Sequence, residues 1–164
     1  MDDKWLRWRA RRKTRASAVE VPAQAMYDAL VKDTLSPALR ALGFKGSAGR
    51  YSMPCSDCWA LLGFQKSAYS DAVEVQFTIN LLVVNKSAWN AARQEAPHLP
   101  ERPTPTTWYG EPAAQARIGD LTPEGEDKWW RVYSPANMAA VGNDVLHDIT
   151  EYALPWLRHQ THEF

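Results

Sequence analysis

Cysteine is nearly absent: Cys55 and Cys58 are the only two in 164 residues. Zinc needs about four ligands, and beyond Cys55 and Cys58 no second cysteine pair exists to complete such a site. The four histidines, His98, His147, His159 and His162, all lie far from them in sequence. No apolar run approaches the roughly 18 residues of a membrane span. The arginine-dense start lacks the continuous apolar segment of a cleavable signal peptide, so the expected location is cytoplasmic. Also missing are a Gly-x-Ser-x-Gly elbow, a phosphate loop and a His-Glu-x-x-His helix. The sequence therefore offers no recognisable nucleophile, and no cofactor or metal is expected.

What is present suits one packed domain. Apolar residues make up 45% of the chain, with eight Trp, six Tyr and four Phe, enough for a core without staples. Net charge is zero but unevenly spread: residues 1–15 carry seven basic and two acidic side chains, residues 16–164 twelve and seventeen. An acidic body argues against specific nucleic-acid binding, which normally needs a basic surface. Residues 1–20 read as a basic, Trp-rich arm or terminal helix, with Trp5 and Trp8 as apolar anchors. Such an arm suits docking on the acidic body, or weak contact with anions or a membrane surface.

Residues 21–160 read as a single α+β domain. Pro22 can open a helix, and Met26, Leu30, Val31 and Leu35 recur at helical spacing. Ser36-Pro37 predicts a second short helix or a kink, Leu39 and Leu42 continue the apolar side, and Gly43 is a natural stop. Tyr51 and Met53 alternate, Cys55 to Asp57 reads as a hairpin turn, and Cys58 to Gln65 as a buried strand. Val73, Val75, Phe77, Ile79 and Leu81 alternate with Glu74, Gln76, Thr78 and Asn80, the clearest period of two in the chain. Residues 94–112 hold five of the eleven prolines and read as a surface connection pinned by Trp108 and Tyr109. A strand over Ala114 to Ile118, a turn at Gly119-Asp120, a short strand at Trp129 to Tyr133 and a last helix from Ser134-Pro135 follow, with Pro155 marking a kink or an end. The predicted architecture is a mainly antiparallel sheet covered by N-terminal and C-terminal helices.

Candidate sites are few. Cys55 and Cys58 invite a redox reading, but a thiolate of that kind needs a helix N-terminus, and Pro54 and Trp59 set this pair at a strand start. Plain turn cysteines are expected. Asp144, His147 and Asp148 share one helical turn, where the two carboxylates would raise the proton affinity of the imidazole, yet such groups are mostly solvated surface. Glu74, Gln76 and Asn80 share the polar side of the strongest strand and can line a groove, with Lys66 or Arg117 satisfying Glu74. Trp129 and Trp130 cannot both point inward on a strand, so one is expected in the core and the other over Trp108, the proline-rich loop or a partner.

Six stretches together resemble the bacterial family catalogued as domain of unknown function 4304: Leu35 to Phe44, Gly63 to Ser67, Phe77 to Leu81, Arg117-Ile118-Gly119-Asp120-Leu121, Asp127-Lys128-Trp129-Trp130 and Leu154 to Leu157. They run in order from about residue 25 to 158, and the basic start lies outside them. The resemblance implies a shared small domain and brings no catalytic residue, substrate or cofactor.

The functional expectation is a non-enzymatic interaction protein, of which a toxin-neutralising immunity protein is one form. Its expected partner-binding residues are Glu74, Gln76, Asn80, Trp108, Trp129 and Trp130. The rival is a small-molecule-binding or hydrolytic protein using the polar sheet face.

Overall fold

The computed structural model describes residues 21–162, so the expected arm, residues 1–20, lies outside the described residues. The helical spacing after Pro22 folds as α1 (Ala23–Ala29), a π-helical turn over Leu30–Leu35, and α2 (Ser36–Ala41). Proline lacks an N–H and its ring clashes with the carbonyl four residues back, so a plain α-helix cannot run through Pro37 undistorted. The wider π turn just before it absorbs the mismatch. Ser36 has helical dihedrals and does not N-cap α2; its hydroxyl instead bonds the Tyr51 hydroxyl inside the core. Gly43 stops the helix at φ +100°, and the Phe44 N–H returns to the Leu39 carbonyl as its ring folds into the core.

The C-terminal helices repeat this device. A 3₁₀ turn at Pro135–Asn137 leads into α5 (Met138–Asp148), a π-helical turn covers Ile149–Ala153, and α6 (Leu154–Thr161) carries Pro155 without ending. Between these helical arms lies a six-stranded antiparallel sheet: β1 (Lys45–Ser47), β2 (Arg50–Ser52), β3 (Cys58–Lys66), β4 (Val75–Asn85), β5 (Ala114–Arg117) and β6 (Trp130–Val132). The first five are neighbours in chain order, while β5 and β6 lie end to end along the same edge of β4. The two-residue turn Ala48-Gly49, with both φ positive, sets β1 against β2. A Cys55–Cys58 disulfide closes the turn into β3, a bond that the plain-turn reading did not include.

The alternation read from sequence is correct from Val75 and fails before it. Val75, Phe77, Ile79 and Leu81 are fully buried on the face covered by the helices, but Val73 is 69% exposed. The cause is Asp71, whose carboxylate accepts from the Glu74 and Val73 amides and curls that segment into a turn. Those same amide bonds, Glu74 first, hold the Asp71 carboxyl below its usual range. Phe77 is the hub of the aromatic core, with ring centroids of Tyr27, Trp130 and Phe64 at 5.1, 5.6 and 5.8 Å.

Beyond Leu81 the pattern becomes continuous, and Leu82, Val83 and Val84 are all buried. A second apolar cluster of Leu61, Leu82, Val84 and Trp89 covers the opposite face there. It is closed by α3 (Lys86–Glu95), a helix missing from the sequence-based element order. The Asn85 side chain caps it by accepting from the Ala88 amide. The proline-rich connection folds over the same face; Tyr109 packs edge-on against Trp89 and its hydroxyl accepts from the Thr104 amide.

Candidate functional site

The gap between β5 and β6 is bridged by α4 (Ile118–Leu121) and the loop behind it, where the sequence reading put only a Gly-Asp turn. Gly119 lies directly under the returning chain: a Cβ there would come within 2.1 Å of the Glu126 carbonyl and 2.7 Å of the Lys128 amide. The Asp120 carboxylate accepts from the Arg117 amide, fixing the corner. The Thr78 hydroxyl donates to the Lys128 carbonyl at 2.7 Å, tying the returning chain to β4 between the stretches that β5 and β6 pair.

This crossing creates a shallow cleft of about 340 Å³, lined among others by Asn80, Thr106, Trp108, Arg117, Asp120 and Asp127. Arg117 organises it. Its Nη1 donates to both Asp127 carboxylate oxygens at 3.2 and 3.0 Å, and its Nε donates to Asn80 Oδ1 at 3.3 Å. Asn80 in turn donates to Gln65 Oε1, which fixes its amide orientation. The Trp129 ring lies under the guanidinium at 5.3 Å and its indole N–H donates to Asp127. Cation–π contact and a carboxylate clamp on one guanidinium give a pre-organised, partly exposed patch. Trp108 stands beside it, 76% exposed.

The residues expected to act together are thus divided. Asn80, Trp108 and Trp129 converge on this cleft or its rim. Glu74 and Gln76 sit at the far end of β4, bonded to each other at 2.7 Å. The basic neighbour of Glu74 is Arg131, at 3.8 Å; Arg117 is elsewhere because β6 and not β5 pairs with that end of β4, and Lys66 lies opposite Phe77 with its ammonium donating to Gln24. Trp130 is buried and unavailable to a partner; its indole N–H donates to Asp144. Asp144 and Asp148 both turn to Lys128, at 3.0 and 2.6 Å, forming an ion cluster, while the His147 ring packs on Tyr152. Burial opposes charge on both Asp144 and Lys128. The Trp130 and Lys128 hydrogen bonds outweigh it for Asp144, whose carboxyl stays below its usual range, and the two carboxylates hold the Lys128 ammonium above its own.

Sequence reasoning missed Asp127 and the clamp on Arg117. The available signal was the paired charges of Arg117 to Leu121 and Asp127 to Trp130, but only the chain crossing shows that they meet. No serine, cysteine or histidine lines the cleft; its hydroxyl and acidic side chains are Thr106, Asp120 and Asp127. Among the described residues no cluster of three or more His, Cys, Asp or Glu is placed to hold a metal ion. No described helix is long and apolar enough to cross a membrane.

The model of the family described as Domain of unknown function (DUF4304) matches residues 35–159, most of the chain. The chain belongs to this family. No curated protein and no solved structure matches it. The match spans both halves of the cleft and stops short of the basic arm, so the DUF4304 region includes the crossing of Arg117 and Asp127.

Proposed function

We propose that this DUF4304 domain acts by binding another protein, without catalysis of its own, and that the Arg117 cleft with Trp108 and Trp129 is the docking face. Neutralisation of a toxin, in the manner of a bacterial immunity protein, is the form of binding we favour. The observation that carries the reading is Trp108: a tryptophan left 76% exposed beside a guanidinium already held by Asp127, Asn80 and Trp129. Exposed aromatic and arginine side chains on a rigid base are the usual anchors of a protein interface.

A photo-crosslinking residue at position 108, used in the native host with mass spectrometry, would identify the partner. With that partner purified, Trp108→Ala should raise Kd by roughly tenfold or more while leaving the melting temperature within error. Unchanged affinity in both Trp108→Ala and Trp129→Ala would reject this face.

A further inference from the structure

A second cleft, of about 520 Å³, lies on the same side of the sheet across the ridge of Pro105 and Thr106, which line both. The pairing register shows why. Directly opposite residues of antiparallel strands project to one face, so Ser47, Arg50, Gly63, Asn80 and Arg117 form one row across β1 to β5. Gly63 leaves a notch in that row, and Pro105 closes over it. On the hairpin side of the notch the cleft is lined by Lys45 and Arg50, and on the loop side by Arg102.

These three cations stand out for what surrounds them. No aspartate or glutamate lines the cleft, although residues 21–162 carry fifteen acidic and twelve basic side chains. Among the described residues, the carboxylate ion pairs are made by Arg117, Lys128 and Arg131, and neither Lys45 nor Arg50 has an ion-pair partner. Arg102 rests over the Trp59 ring at 5.1 Å, and Lys86 lies over the same ring at 4.7 Å. Ser52, Thr104 and Thr106 add hydroxyls to the lining.

We propose that this cleft binds a small phosphorylated molecule, with the Arg50 and Arg102 guanidiniums and the Lys45 ammonium taking its phosphoryl oxygens. Two guanidinium forks and an ammonium supply many donors and three charges, which suit a phosphoryl group of two or more negative charges better than a single carboxylate. The volume lies in the ordinary range for a small ligand. The two-residue turn sets β1 against β2 and Pro105 seats the loop on Gly63, so the three cations line one cleft whose walls are held without a ligand.

Calorimetric titration of the full chain with sodium pyrophosphate, beside sodium sulfate and sodium citrate at matched ionic strength, tests the assignment. Saturable binding of one pyrophosphate per chain is expected, with sulfate and citrate roughly tenfold weaker or worse. Arg50→Gln and Arg102→Gln should each weaken pyrophosphate by about tenfold, because each removes a charge-assisted pair of hydrogen bonds. Arg50→Lys should fall between them and the parent, and Arg158→Gln, exposed but outside this cleft, should bind as the parent does. All three cations are exposed, so circular dichroism should show folded variants. Absence of saturable pyrophosphate binding overturns the proposal, as does equal binding by the Gln variants. Citrate binding as tightly as pyrophosphate would overturn the phosphoryl assignment. No protein partner takes part, so failure here leaves the docking reading of the neighbouring cleft standing.

Discussion

Gly63 lies beneath Pro105 so closely that a Cβ on the glycine would sit 2.6 Å from the proline Cγ. This contact seats the proline-rich connection on the sheet and separates the two clefts. Gly63→Ala must therefore push the loop away or bend β3. A loss of roughly 1–3 kcal/mol in urea unfolding is expected, in line with overpacking at a tight site. A loss within error would mean that the loop is not seated as described.

Gly119→Ala should be the more severe glycine substitution. Its added carbon meets the Glu126 carbonyl and the Lys128 amide, which are backbone and cannot swing aside like a loop proline ring. A destabilisation of about 3 kcal/mol or more is expected, with loss of the Arg117–Asp127 pair. The check is equilibrium unfolding together with the fluorescence of Trp129, which shares that pair. A variant as stable as the parent would refute the crossing.

The Lys128 cluster predicts how stability varies with pH. Asp144 has a folded pKa below its unfolded value, so its contribution is present above about pH 4 and is lost as pH falls through the folded value. Lys128 is shifted upward, so its contribution is complete below about pH 10 and is lost as pH rises past that. Lys128→Met leaves the Asp148 side chain, only 3% exposed, without its cation. A cost of about 2–3 kcal/mol near neutral pH is expected, toward the low end for a buried pair because Lys128 is itself a third exposed. The variant should also lose stability less steeply above pH 10. It should keep some loss there, because burial first, and then the Tyr51 and Asp28 charges, raise the Tyr27 phenol above its usual range. Melting temperature against pH for parent and variant tests both limbs; parallel alkaline limbs would refute the assignment to Lys128.

Local sequence carried much of this fold. The helical spacing through Leu30, Val31 and Leu35 and the alternation through Phe77 and Ile79 are properties of neighbouring residues, and both appear in the structure. The run Leu81 to Val84 also held a signal, since four consecutive buried residues require cover on both faces of a strand. That cover is α3 and the proline-rich loop, and Asn85 ahead of Lys86–Glu95 was the cap that announced the helix. Val73 went the other way because a single carboxylate, on Asp71, captured two amides that the strand would otherwise have used.

The sequence by itself determined the α+β class, the antiparallel sheet between helical arms and the burial of one member of the Trp129-Trp130 pair, because side-chain period and opposite-face projection are local. Tertiary structure decided which polar groups meet. Arg117 pairs with Asp127 rather than Glu74 because the chain crosses itself at Gly119, and because β6 fills the far end of the β4 edge. Arg50 and Arg102 share a cleft because β2 lies beside β3 in a register that puts Arg50 opposite Gly63, while a loop about fifty residues away folds over that glycine. Contacts of that kind depend on strand register and chain crossing, which the spacing of residues along a segment does not encode.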